Sequence, residues 1–225
     1  MAGRGNAFHL LEPRSVADKY ANFADLARVE ASDAYAIRLR NMGSHVVIAA
    51  PHGGAIEPGT SEIAIALASE DLSYYLFEGR KPSANSELHI TSSNFDEPHC
   101  LQLVTTAIVV LAIHGEARND PVVFLGGRNV DLAATMGETL TGAGFVVDTH
   151  ANPALQGRDP SNIVNRGLAR AGVQLEISRG LRKQFFVSLQ SAGRAQSTHL
   201  LEQFTLAVRG ALRSSGFLPV YPADN

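Results

Sequence analysis

Unbroken apolar runs alternate along this chain with stretches whose apolar positions recur every three or four residues. Val46-Val47-Ile48-Ala49-Ala50 has the β-branched and small apolar make-up of a strand buried on both faces, residues 106–113 form a strongly apolar strand, and Val173-Gln174-Leu175-Glu176-Ile177-Ser178 is a further strand. Residues 35–40 alternate instead, which predicts a half-exposed strand, and Asn41-Met42-Gly43-Ser44 predicts a hairpin-like turn into the strand at 46. Further strands are predicted at 72–77, 87–91, 121–125, 145–147 and 217–221. Val16, Tyr20, Phe23, Leu26 and Val29 keep helical spacing and predict a helix over 15–29. Others are predicted at 61–70 with Ser61 as N-cap, at 99–105, at 129–140, at 162–168 behind Ser161, and at 196–213. The alternation predicts an α/β fold, a single domain over 14–225 with a central mixed, mainly parallel sheet flanked by helices on both faces. Residues 1–13 are small and polar and are expected to be poorly ordered.

The central apolar run breaks at Pro51, and His52-Gly53-Gly54-Ala55-Ile56-Glu57-Pro58-Gly59 follows. A buried strand thus ends in a glycine-rich loop carrying an imidazole and a carboxylate. Open α/β sheets bind ligands at the carboxyl ends of their strands, and two other strands also bear ionisable groups: His114 and Glu116 after 106–113, and Glu176 inside 173–178. An apolar strand gains nothing from a central carboxylate unless it is paired or bound to a metal. Two imidazoles and a carboxylate make a common zinc shell with a fourth position for water, and a further carboxylate serves as base. His52, Glu57 and His114 suit that shell, and Glu176 suits the base. The spacing equally allows His52 bonded to backbone, Glu57 capping the next helix, and Glu176 paired with Arg179 or Arg182.

Composition narrows the chemistry. Of 225 residues 45% are hydrophobic and 18% charged, and the net charge of −3 gives no support for a nucleic-acid partner. Cys100 is the only cysteine, so an internal disulfide and a cysteine-based zinc cluster are both excluded. It is expected to be a small buried residue. Any metal must be held by histidine and carboxylate. The first 13 residues lack the apolar core of a signal peptide, and 107–113 falls far short of the ~20 residues needed to span a bilayer. A monomer is expected, without a membrane partner, either cytoplasmic or released on lysis.

Ala50-Pro51-His52-Gly53-Gly54-Ala55-Ile56-Glu57-Pro58-Gly59-Thr60-Ser61-Glu62 resembles the signature of the poly-γ-glutamate hydrolases of phages and their bacterial hosts. Segments resembling the same family follow in order: Leu88-His89-Ile90-Thr91-Ser92, Asn94-Phe95-Asp96-Glu97-Pro98, Ile113-His114-Gly115, Asn152-Pro153, Leu155-Gln156-Gly157, Asn162-Ile163, Asn165-Arg166-Gly167, and 172–178. The resemblance covers roughly residues 35–215. It implies a fold similar to the zinc carboxypeptidases and Zn2+ held by His52, Glu57 and His114, with Glu176 as general base and acid. It also implies a poly-γ-glutamate depolymerase, a hydrolase of γ-glutamyl amide bonds acting on the anionic polymer. The carboxypeptidase pattern sets its His and Glu three apart, whereas these are five apart, so the loop must differ. The alternatives are a zinc amidase or peptidase cutting another γ-glutamyl or cell-wall amide, and a non-catalytic α/β binding protein.

A guanidinium binds carboxylate in a two-pronged fork. Arg166 and Arg179, with Asn165 beside the former, are therefore the candidates for substrate binding, and Arg182 reads as solvated. His89 and His150 could line the cleft, packing being the commoner fate of the first. Asp96 could orient a zinc histidine or cap a loop.

Overall fold

A computed structural model describes residues 18–219. In chain order its elements are α1 (Phe23–Val29), β1 (Tyr35–Arg40), β2 (Val46–Gly54), α2 (Thr60–Ala68), β3 (Ser73–Gly79), α3 (Pro98–Val104), β4 (Val109–Glu116), β5 (Val123–Gly127), α4 (Val130–Gly142), β6 (Val147–Asp148), β7 (Val173–Ser178), α5 (Arg179–Phe185), α6 (Ser191–Arg194) and α7 (His199–Ser214). The strands form one mixed sheet in the order β1-β3-β2-β4-β7-β5-β6. β3, β2, β4 and β7 run parallel, while β1 and β5 pair antiparallel with β3 and β7.

Period-2 alternation splits the core into two layers. Ile48, Leu111, Ile113, Leu175 and Ile177 pack beneath α2, α4, α5 and α7. Ala49, Val110 and Ala112 face the other way, against Leu26 of α1 and Cys100, Leu103 and Val104 of α3. Cys100 is buried there. Both faces of the central strands are covered, as the unbroken apolar runs of β2 and β4 require. The carboxyl ends of β2, β4 and β7 converge on one edge of the sheet, and the ionisable groups lie there.

Several local expectations are corrected. The helix expected over 15–29 begins at Phe23, where Asn22 caps it by accepting from the Asp25 N–H; 15–17 and the segment 1–13 lie outside the described residues. The turn at 41–44 closes no hairpin, because β1 pairs with β3 and not with β2, whose two edges are taken by parallel neighbours. Gly59, at φ +102°, caps α2 in place of Ser61, whose hydroxyl accepts from the Gly54 N–H at 3.1 Å. Residues 87–91 are not a strand but the end of a 3-10 turn, Asn85–Leu88, and an extended segment. The helix over 162–168 shrinks to one turn, Ile163–Asn165, capped by Asn162 and not by Ser161. Residues 217–219 form no strand, and 220–221 lie outside the described residues.

Candidate functional site

Strict alternation would put His52 on the same face as Ile48 and Ala50, away from His114. The ladder between β2 and β3 shifts register between Ala50 and Gly53. Ala50 faces Leu76 and Gly53 faces Glu78, so the β2 strand carries one extra residue there. Such a bulge turns the following side chains over, and Pro51, which has no N–H to give a ladder, tolerates it. The His52 imidazole therefore reaches the face of His114, buried beside Phe95.

The loop that follows folds back onto its own start. Glu57 N–H donates to His52 O at 2.9 Å, and Ile56 N–H to Gly53 O at 3.2 Å. Gly54 has φ +66°, and a Cβ there would stand 2.6 Å from Gly79 O, so only glycine permits this turn. The closure returns the Glu57 carboxylate to the histidine five residues before it, with Oε1 3.3 Å from His52 Nδ1. Its Oε2 accepts the Gly115 N–H at 2.8 Å and lies 3.8 Å from His114 Nδ1.

Three ligand atoms now face one point. His52 Nδ1 and His114 Nδ1 are 3.1 Å apart. His52 Nε2 is 2.8 Å from Ile90 O; a carbonyl only accepts, so this nitrogen carries a proton, and Nδ1 faces Glu57, protonated when the site is without a metal and able to give its lone pair to one once that proton is lost. His114 Nε2 lies 3.3 Å from Ser92 Oγ, which can accept the same proton. Two ligand atoms each about 2.0–2.1 Å from a tetrahedral ion lie about 3.3 Å from one another. The Nδ1–Nδ1 distance of 3.1 Å and the His52 Nδ1–Glu57 Oε1 distance of 3.3 Å match that spacing, and one ligand atom from each of the three residues lies within 4.8 Å of the others, so His52, Glu57 and His114 fit a metal that takes nitrogen and oxygen ligands. The segment 88–92 thus orients both rings, and His89 stacks on His52 with centroids 3.9 Å apart while Asp18 holds its Nδ1 at 2.7 Å.

Glu176 stands opposite His114 in the β4–β7 ladder and opposite Phe124 in the β5–β7 ladder, so all three leave the same face. Gln174, two residues earlier, donates from Nε2 to Glu176 Oε1 at 2.9 Å and to Leu155 O at 3.0 Å. Its own Oε1 accepts from Asn162 Nδ2 at 3.2 Å. Burial, with the negative charge of Glu57 adding to it, pushes the Glu176 carboxyl well above the ordinary range. Burial also opposes ionisation of Glu57, but the charge of and hydrogen bond to His52 outweigh it and hold its carboxyl at about 2. Burial drives the His114 imidazole down to about 3. The two carboxyls beside this cluster are thereby pushed in opposite directions, one toward binding a proton and one toward carrying charge.

The other expected residues are placed as follows. Arg179 opens α5, is exposed, and lines a cleft of about 920 Å3 that meets the cluster at Glu57 and Gly115. Arg166 bonds the carbonyls of Ser161 and Ser93, away from that cleft. Asn165 is buried and spends its amide on the carbonyls of Gly157 and Asp159 and on the Gly172 N–H. Arg182, expected in solvent, is buried and ties Ile177 O, Pro58 O and Glu116 O together. A Cβ on Gly115 would stand 2.7 Å from its Cζ, so the glycine after His114 makes room for it. Asp96 accepts the Phe23 N–H. His150 packs edge-on against Phe124. Sequence reasoning passed over Ile90, Ser92 and Gln174. The first two act through a carbonyl and a hydroxyl that carry no pattern, and only the polar i, i+2 pair Gln174–Glu176 in an apolar strand could have been noticed.

Among known proteins, the family profile described as poly-gamma-glutamate hydrolase matches residues 20–207. The SPbeta prophage-derived UPF0714 protein YoqZ of Bacillus subtilis is 42% identical over 190 residues, 83% of this chain and 69% of that protein. The UPF0714 protein YndL of the same bacterium is 39% identical over 201 residues, 88% of this chain and 79% of its own. A solved bacteriophage poly-gamma-glutamate hydrolase superimposes with a TM-score of 0.84 at 31% identity, covering 88% of this chain and 98% of that one. Zinc-free YndL superimposes with a TM-score of 0.83 at 38% identity, covering 88% and 99%. No helix among the described residues is long and apolar enough to cross a membrane.

Proposed function

The chain belongs to the poly-γ-glutamate hydrolase family of enzymes, and on that premise we propose that it hydrolyses γ-glutamyl amide bonds of poly-γ-glutamate with zinc as cofactor. One observation carries the chemistry: two buried imidazoles and a carboxylate offer one ligand atom each within 4.8 Å of one another, and a second buried carboxylate, Glu176, leaves the sheet on the same face as His114. His52, Glu57 and His114 would hold the zinc. Bound there, it would polarise the scissile carbonyl and acidify a water molecule.

Glu176 is the catalytic acid and base. Gln174 occupies its Oε1, and the free Oε2 takes a proton from the attacking water and returns it to the leaving nitrogen. A carboxylate at this position can accept the proton of the attacking water and return it, which suits both transfers. A γ-linked chain carries a free α-carboxylate on every residue, and Arg179 on the cleft wall is the substrate-binding arginine. Asn165, whose amide is taken by backbone, and Arg166, which gives two of its five donors to the Ser161 and Ser93 carbonyls, shape the loop between β6 and β7.

The reading is tested by offering zinc-loaded protein γ-linked and α-linked polyglutamate and counting new amino termini. Release from the γ-linked polymer alone is expected. Release from the α-linked polymer at a similar rate would mean a general peptidase, and release from neither, by a protein that holds zinc, would assign the site to another amide.

A further inference from the structure

The cleft beside the cluster has a charge opposite to that of the molecule. Six cationic and three anionic side chains line it, while the whole chain carries −3. The three anions are engaged: Glu57 within the cluster, Glu62 by Arg194 at 2.8 Å, and Glu78 by Arg38 and Arg80 at 3.3 and 3.5 Å. The last group is unevenly exposed. The Glu78 side chain is 10% exposed, whereas those of Arg38 and Arg80 are 47% and 54% exposed. A tucked carboxylate thus anchors two guanidiniums by one contact each, and a guanidinium has five donors. Most of their N–H groups face the cleft or solvent without a partner among the described residues. On the facing wall Arg179 makes no ion pair or side-chain hydrogen bond among the described residues.

We propose that the Arg38–Glu78–Arg80 group is a carboxylate-binding subsite that holds an α-carboxylate of the γ-linked polymer away from the scissile bond, across the cleft from Arg179. The proposal rests on the functional reading above and adds to it the wall along which the polymer runs. Glu78 is the ladder partner of Gly53, next to His52, and Arg38 lies on β1, one strand further out. Strands are about 4.8 Å apart, so the subsite lies roughly 10 Å from the β2 end of the cluster. A γ-linked repeat has five backbone bonds and spans about 6 Å, so the carboxylate one or two residues from the cut reaches it. Two guanidiniums held side by side match the fork geometry of a carboxylate better than mobile lysines would. Lys81, also on the cleft, is already paired to Glu30 and Glu87. The local positive field also overcomes the repulsion between a net-negative protein and a polyanion.

The test uses full-length zinc-loaded protein, labelled poly-γ-glutamate for equilibrium binding on an E176Q background, and rates on the polymer and on a short neutral γ-glutamyl amide with Glu176 intact. R38Q and R80Q should each weaken polymer binding about five- to tenfold, a loss expected for a charge-assisted contact in a partly exposed site. They should also flatten its salt dependence, and lower kcat/KM on the polymer several-fold more than on the short amide. E78Q keeps both arginines and releases them, so it should tighten polymer binding. A general folding defect cannot yield effects of opposite sign. Unchanged binding in R38Q and R80Q, equal losses on both substrates, or weaker binding in E78Q would overturn the subsite. A protein that binds the polymer through these arginines but cuts no γ-linked bond would overturn the functional reading and leave the subsite standing.

Discussion

His52 and His114 face each other Nδ1 to Nδ1 at 3.1 Å, and each turns its Nε2 to the same five-residue segment, to Ile90 O and to Ser92 Oγ. Outer hydrogen bonds of this kind fix tautomer and ring orientation, and losing one typically costs 10- to 100-fold in metal affinity. Ser92→Ala should therefore weaken zinc binding by about tenfold while the far-ultraviolet circular dichroism stays the same. Competition with a chelator measures it. An unchanged affinity would remove Ser92 from the account.

The ligands themselves give a larger effect. Purified protein should carry about one zinc, with His nitrogens near 2.0–2.1 Å from the ion. His52→Ala and His114→Ala should each lose most of the metal in elemental analysis. Glu57→Gln should do the same, although it is isosteric, because it removes the charge that both histidines face.

Gln174 separates orientation from binding. Gln174→Leu removes the donor to Glu176 Oε1 and leaves Asn162 Nδ2 without its acceptor. Turnover should fall about 10- to 100-fold, part of the range that acid–base catalysis spans, with zinc content unchanged and KM little altered. Steady-state kinetics on the polymer, alongside metal analysis, read the two effects apart. A rise in KM with kcat preserved would assign Gln174 to the substrate instead.

Arg182 is a structural matter. Its buried guanidinium bonds three carbonyls that belong to the α2 loop and the ends of β4 and β7. Arg182→Met leaves those acceptors unsatisfied, at roughly 1–3 kcal/mol for each group. Urea unfolding should show a loss of about 3 kcal/mol, tempered by water reaching the cleft side. Arg182→Lys should recover only part of it, because an ammonium is a point charge and the guanidinium a fork.

Much of this was legible in the sequence, for identifiable reasons. The apolar runs at 46–50 and 106–113 and the strand read at 173–178 became β2, β4 and β7, the three that carry the site. A carboxylate inside the last of these was a signal because burial without a partner is costly. What the pattern could not convey is the bulge at Pro51, which decides the face that His52 occupies. The expected hairpin failed because turn residues at 41–44 specify a local bend but not which strand accepts β1. Arg166 looked like a ligand for carboxylate because its type allows that. Its actual acceptors, the Ser161 and Ser93 carbonyls, are set by loop packing that no spacing encodes.

The central claim is that Glu176 transfers protons in a zinc-dependent cleavage of γ-glutamyl bonds. Its most direct test is the chain length of poly-γ-glutamate after incubation with zinc-loaded parent protein and with zinc-loaded Glu176→Gln, followed by size-exclusion chromatography. The parent should shorten the polymer, and the variant, with equal zinc and equal polymer binding, should be slower by about 10²–10⁴-fold. Equal shortening by both proteins, or none by the zinc-loaded parent, would contradict the account.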